Sequence, residues 1–433
     1  MLINGNHNNQ TVKLLKDTSQ ILFAGILGTL YIVVDQAFSS KISSDYFRAD
    51  SFIAYYPMVF AFIAKVIGHS SVILIRKEPG SSLPYMVGGL SLSIISSSLF
   101  LLLIASTSSY FFHISSISHI LGVSEFFLIQ GIAGVFFCSS HVMRYMLIAK
   151  EKMPYILKVE ILGNSFNFLG NFLFLYLLDN EAHAFIGFAI TTLIVQTSTF
   201  LIYKRKLGVS ILNKFLFKKA KSFLRRSKKI VTGDSIYMLL VTLSPLFFAL
   251  IIQEKTTSSI VIAFNTGVTI YTFFSRPFIS ILLSGVSFIS SNKEISIDDK
   301  LKVINKLSFF LLGVVLFLMV IFGYYVIVEM FNVKEYFWVT LIVIGLIFPL
   351  SLSVSSVCII RISENNLTMA FSELVATYII GMPIIYFFSN NENFIAIFII
   401  GYFIPFLVNH IFYIWYSKDK KYKKAMLKFS SSS

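Results

Sequence analysis

Acidic residues are scarce in this chain. Only 21 Asp and Glu stand against 36 Lys and Arg, and charged residues of both signs make up 13% of 433 positions. A soluble domain carries about 25%. Polar residues are too few to coat a soluble fold in which 56% of the chain is apolar, so the solvent must be lipid. Cysteine is almost missing. Cys138 and Cys358 lie far apart in apolar runs, which excludes a disulfide framework and a thiolate metal centre. Catalytic patterns are missing too: there is no nucleophile elbow, no HExxH and no Walker loop, and the short connections leave no room for a soluble catalytic domain. Neither an enzyme nor a cofactor is expected. No cleavable signal is evident, because the polar start MLINGNHNNQ leads into an apolar run followed by many others.

What is present is a succession of apolar runs with 46 Phe and 21 Tyr, residue types suited to lipid-facing and interfacial positions. Windows of roughly 20 apolar residues place spans at 18–38, 51–74, 86–107, 122–146, 155–178, 183–203, 230–252, 258–284, 306–330, 336–360, 367–388 and 394–416. The expected fold is an all-α polytopic membrane protein of twelve transmembrane helices. With both termini inside, only Lys41, Arg48, Lys255 and Lys334 fall outside, Lys65 and Arg276 fall within spans, and the other 30 of the 36 basic residues are cytoplasmic. That bias follows the positive-inside rule, and an odd number of spans would scramble it.

The net charge of +15 raises the question of nucleic acid, but its distribution answers against it. The longest basic stretch, 203–229, alternates Leu, Phe and Ile with Lys and Arg, as an amphipathic helix on anionic lipid headgroups does. The tail 418–428 reads the same way. The chain therefore divides into a six-helix bundle at 1–203, a basic cytoplasmic linker at 204–229, a second six-helix bundle at 230–416 and a basic tail at 417–433. Weak echoes link the halves. SVILIRKE at 71–78 is repeated as SFISSNKE at 287–294, an offset of 216, and Lys65 has its counterpart in Arg276. Two parallel six-helix repeats related by a pseudo-two-fold axis suit an alternating-access transporter.

One acid stands out. Asp35 closes the apolar run ILFAGILGTLYIVVD, with more apolar chain after it. A carboxylate inside a span costs roughly 2.5–3.5 kcal/mol on insertion scales, so an ion, proton or substrate site is the default reading. Lys65 in the next span is about 15 Å away in depth at 1.5 Å per residue, too far for a direct pair. Tyr31 and Asp35 are spaced i, i+4 and share a helix face, as do Asn167 and Asn171.

These residues resemble the multidrug and toxic compound extrusion (MATE) transporters of the multidrug/oligosaccharidyl-lipid/polysaccharide flippase superfamily. The stretch 27–80 is similar to the family's first two helices, 144–176 to its fifth helix with the loop before it, and IGFAITTLIVQ at 186–196 to its sixth-helix motif. The resemblance implies a coupling-cation network at Tyr31, Asp35, Asn167, Asn171 and Thr192, which would hold Na⁺ or H⁺; no other metal is implied. Position 171 is Asn where many relatives carry Asp, and span seven has Leu243 and Ser244 where another branch has a glutamate, so the DinF-like arrangement fits better.

Lys65, Gln196, Arg276 and Glu373 are the substrate-cavity candidates. Arg276 precedes Pro277 and marks a bend in span eight, and Glu373 is the one acid well inside a late span. Arg144 and Glu160 sit near cytoplasmic span ends and are expected at the interface. The implied function is a secondary active exporter, a monomer in the inner membrane of a prokaryote, that couples Na⁺ or H⁺ entry to efflux of amphipathic or cationic small molecules. Its other partners would be membrane lipids. The alternative is a lipid-linked oligosaccharide flippase of the same superfamily, with Lys65 and Arg276 meeting pyrophosphate.

Overall fold

The computed structural model describes residues 32–77, 82–150, 152–209, 216–291, 296–362, 366–390 and 392–418, with Ser19, Ile26, Leu27 and Leu30 besides. Tyr31, residues 210–215 of the basic linker and the tail from 419 lie outside the described residues. Among the described residues all regular structure is helical.

The first described helix, α1, runs over 32–42. It is followed by α2 (Ser44–Ile53), α3 (Tyr55–Lys77), α4 (Ser82–Ile114), α5 (Val123–Ala149), α6 (Met153–Leu177), α7 (Glu181–Leu207) and α8 (Leu216–Lys255). Then come α9 (Ser258–Phe274), α10 (Arg276–Ser291), α11 (Ile297–Tyr324), α12 (Phe337–Gly345), α13 (Ile347–Ile362), α14 (Asn366–Glu373), α15 (Met382–Phe388), α16 (Phe394–Phe398) and α17 (Ile404–Ser417). Three π-helical stretches, Tyr325–Met330, Leu374–Gly381 and Ile399–Phe403, extend or join the later helices. All twelve expected segments carry helix. Among the described residues nine helices are long and apolar enough to cross a membrane, and a tenth is the pair α9–α10.

That pair is bent by 42°. The cause is Pro277, which lacks an amide hydrogen and would clash with the carbonyl one turn back. The helix ends at Ser275, whose N–H still reaches Tyr271 O at 2.8 Å, and restarts at Arg276. Pro245 inside α8 orphans the carbonyl of Val241 in the same way; there the Ser244 hydroxyl donates to Val241 O at 3.3 Å.

The second span begins earlier than expected. Ser43 is an N-cap whose side chain accepts from Tyr46 N–H at 3.3 Å, and Asp45 lies in the first turn, so the stretch read as an outer loop is helix from Ser44 onward. Its residues Arg48, Asp50 and Ser51 are buried. Arg48 bonds Asp45 at 3.2 Å and donates to the Ser116 carbonyl at 3.1 Å, which satisfies its charge locally.

The chain forms two compact units, Leu30–Leu250 and Ile251–Ser433. In the first, α5 packs against α3, α4 and α7, while α6 lies on α7. In the second, α9 pairs with α12, α10 and α11 pack on α13, and α13 packs on α17. Helix α6 is long enough to span but too polar for the apolar test, and its polar residues explain why. Glu160, Asn164, Asn167 and Asn171 recur at i, i+4, i+7 and i+11 along one face, while Phe166, Phe168, Leu169 and Phe172 are exposed on the others. The helix is inside-out, with its polar stripe toward its neighbours.

Candidate functional site

Asp35 is 3% exposed on α1, surrounded by helices that contribute only short polar side chains. Its Oδ1 accepts from Asn167 Nδ2 at 2.8 Å and from Asn171 Nδ2 at 2.5 Å. Its Oδ2 accepts from Thr192 Oγ1 at 3.0 Å, and Thr192 Oγ1 lies 3.3 Å from Asn167 Oδ1. Gln130 of α5 stands beside the same carboxylate. Four helices therefore converge on one carboxylate.

The convergence follows from the local sequence. Asn167 and Asn171 are one turn apart, so both amides point from α6 at a single point. Between them lies Gly170. A Cβ there would stand 2.4 Å from Thr191 Cγ2, so glycine lets α6 approach α7 closely enough for Thr192 to reach Asn167 and Asp35. Thr191 itself back-bonds to Gly187 O at 2.9 Å and takes no part. Gln196, one turn beyond Thr192, is buried but is not a partner of Asp35.

A second buried acid belongs to this neighbourhood. Asp50 on α2 is 4% exposed, and its Oδ2 accepts from Ser39 Oγ at 2.8 Å. The same hydroxyl lies 3.0 Å from the Asp35 main-chain carbonyl, one turn before it on α1. Asp50 feels the charge of Asp35. Among the described residues neither carboxylate has an ion-pair partner. Asp50 went unnoticed in the sequence because it sits in the charged stretch Lys41–Asp50, which fails any hydropathy window; the Ser43 cap was the signal that could have found it.

This donor set fits a small hard cation. The side-chain oxygen of Asn171 is buried and has no hydrogen-bond partner, so it is a ligand atom left over. An amide presents either its NH₂ or its carbonyl. Asn167 and Asn171 serve the bare carboxylate by donating to it, and by turning over they offer a cation two oxygens beside those of Asp35 and Thr192. Oxygen ligands are what hard cations take.

The other candidates are not among the hydrogen-bond partners of Asp35. Lys65 is half-buried on α3, and the partners of Asp35 are Asn167, Asn171, Thr192 and Gln130. Arg276 is half-buried at the first turn of α10, directly after the break. Glu373 is buried at the end of α14 in the other unit. Arg144 and Glu160 are not interfacial. They pair at 3.5 Å with side chains 10% and 12% exposed, and the buried Tyr203 donates to Glu160 at 3.1 Å, tying α5, α6 and α7 together. The pair is buried because each charge is compensated across a helix contact.

No family model and no curated protein matches the chain. Solved structures do. An outward-facing multidrug resistance MATE family transporter of the MOP superfamily matches with a TM-score of 0.71 at 14% identity, over 96% of each chain. A MOP superfamily transporter from Pyrococcus furiosus, whose binding pocket is described as reversed in polarity, matches with a TM-score of 0.73 at 14% identity, again over 96% of each. A Vibrio cholerae MATE transporter in its bent form gives 0.69 at 16% identity, over 97% of this chain and 99% of that one. The chain thus has the fold of these transporters, twelve helices in two bundles. It is a multi-pass membrane protein.

Proposed function

We propose that this chain is a secondary active exporter that couples entry of Na⁺ or H⁺ at the Asp35 cluster to efflux of amphipathic or cationic small molecules. The observation that carries the reading is the Asp35 carboxylate itself, 3% exposed, held by Asn167, Asn171 and Thr192 and, among the described residues, compensated by no basic side chain. Neutral donors offset part of the cost of a bare charge, and a bound cation or proton removes the rest. Such a group is stable in two states, which is what a coupling site requires. The likeness in fold to a multidrug resistance MATE family transporter supports a small-molecule cargo.

In this mechanism Asp35 holds the negative charge, the two asparagines and Thr192 exchange donation to the carboxylate for ligation of the cation, and the α6–α7 contact at Gly170 holds the three together. The two bundles rock to expose the cargo site alternately, in the cytoplasmic membrane of a prokaryote, with both termini inside. The protein acts as a monomer and carries no cofactor. The candidates for contact with the cargo are Lys65 and Gln196 in the unit Leu30–Leu250, and Arg276 and Glu373 in the unit Ile251–Ser433.

The test is dye transport in proteoliposomes loaded with ethidium, under an imposed Na⁺ gradient and, separately, a pH gradient. One of the two drives efflux in the wild type, and Asp35→Asn reduces it to the leak of protein-free vesicles while the protein still inserts. Efflux that survives Asp35→Asn would remove the coupling site. If neither gradient moves dye but a fluorescent lipid-linked pyrophosphate oligosaccharide crosses the bilayer, the flippase alternative replaces the exporter.

A further inference from the structure

The unit Ile251–Ser433 contains an acid that the mechanism above does not use as a coupling group. Glu373 closes α14 with 5% of its surface exposed. Its Oε1 accepts from Thr377 Oγ1 at 2.9 Å, and its Oε2 accepts from Asn409 Nδ2 of α17 at 2.6 Å. The Asn409 carbonyl is in turn taken by the Ser372 hydroxyl, which fixes the amide with its NH₂ toward Glu373.

We infer that Glu373 is a second proton-binding site, in the unit Ile251–Ser433 and separate from the Asp35 cluster. The inference does not require that Asp35 couple transport.

Three observations carry it. First, the acid is set among neutral groups. Among the described residues it has no ion-pair partner. The titratable side chains of the elements packed around it are Tyr378 on its own π stretch, Tyr402 on the π stretch Ile399–Phe403, and His410, Tyr413 and Tyr416 on α17. The His410 ring is bonded to Ser353 Oγ of α13 at 2.5 Å. None of them is a lysine or arginine, so among the described residues the carboxylate charge is compensated by dipoles alone.

Second, both protonation states have partners. The bare carboxylate takes one donor on each oxygen. When a hydronium ion passes its proton to Oε1, an O–H bond forms there, one O–H bond of the hydronium breaks, water is left behind, and the charge of the acid goes from −1 to 0. The new O–H needs an acceptor, and the Thr377 hydroxyl, which both donates and accepts, turns to supply it. Asn409 keeps donating to Oε2. A metal cation is served far worse. Among the described side chains that bond the carboxylate, only the Thr377 hydroxyl offers an oxygen, because the Asn409 carbonyl is engaged. The Asp35 cluster, with its unpartnered Asn171 oxygen, is the reverse case.

Third, the backbone is unusual here. The π stretch Leu374–Gly381 begins at the residue after Glu373, and Ile399–Phe403 is the π stretch it packs against. The two main chains meet so closely that a Cβ on Gly381 would lie 2.3 Å from the Gly401 carbonyl oxygen. Single-turn π segments concentrate at functional sites.

The test is difference infrared spectroscopy of the purified full-length protein, following the carbonyl stretch of protonated carboxylic acids across the neutral pH range. Asp35→Asn should retain a pH-dependent acid band that the double variant Asp35→Asn, Glu373→Gln loses. Asn409→Leu keeps Glu373 in place but removes its N–H donor, so the same band should persist and move to higher frequency. This variant also serves if the Glu373→Gln protein does not fold. Identical spectra for the single and double variants, or a band that Asn409→Leu fails to move, would show that Glu373 holds one protonation state throughout and would overturn the inference. Neither result depends on whether Asp35 drives efflux, so the two readings fail separately.

Discussion

Asp35 and Glu373 are both carboxylates buried inside apolar helices, and both are met by a threonine hydroxyl and an asparagine amide. The surroundings differ in oxygen. At Asp35 two asparagines and a threonine arrive from α6 and α7, one amide oxygen is left without a partner, and a second acid, Asp50, lies one serine away. At Glu373 the single amide is locked by Ser372, and one donor comes from the acid's own next turn. A carboxylate with spare oxygens around it can wrap a metal cation. One whose neighbours are already committed can accept only something the size of a proton. The same residue types thus make two different hydrogen-bonding environments, depending on whether their second hydrogen-bonding atom is occupied.

Substitutions can break this comparison, and the largest effect belongs to Asp35→Asn, which should abolish gradient-driven dye efflux outright. Next is Asn171→Leu. It removes a hydrogen bond to a charged group, worth about 1.5–3 kcal/mol, together with the leftover oxygen. If Na⁺ is the coupling ion, the Na⁺ concentration for half-maximal efflux should rise roughly 10–100-fold, with the Glu373 infrared band unchanged. Gly170→Val tests the packing that assembles the first cluster. Forcing α6 off Thr191 should cost about 1–3 kcal/mol, seen as a lower melting temperature in detergent. The smallest effect is expected from Thr192→Val, which removes a longer hydrogen bond to the same carboxylate, 3.0 Å against 2.5 Å, and no spare oxygen; it should fall at the low end of the charged range, about 1.5 kcal/mol, roughly a tenfold change in half-maximal Na⁺ on the same assumption. An effect of Thr192→Val equal to that of Asn171→Leu would mean that the spare amide oxygen carries no weight, and the contrast between the sites would collapse.

The helical segments were legible because length and apolarity decide a span, and the break at Ser275 because Pro277 announces it. Asp35 was legible for the same reason: an acid in an apolar run violates the pattern. Asn167, Asn171 and Thr192 were reached through family resemblance, although the stripe Glu160, Asn164, Asn167 and Asn171 at helical spacing was open to a reading from periodicity alone. Asp50 was hidden, because its surroundings are as charged as a loop and only burial separates it from one. Arg144 and Glu160 were misplaced at the interface for a related reason. Position along a span gives depth, but whether a side chain meets lipid headgroups or a partner on the next helix depends on rotation about the helix axis.

The sequence by itself determined that this is a lipid-embedded, all-helical chain and which residues are too polar to be idle there, because the cost of polar groups in hydrocarbon is local and readable residue by residue. Only the tertiary structure decided which of those residues meet. Asp35 finds Asn167 and Thr192 from 132 and 157 positions away. Contacts at such separations are set by helix packing and by the closeness that Gly170 permits, and hydropathy carries no record of either.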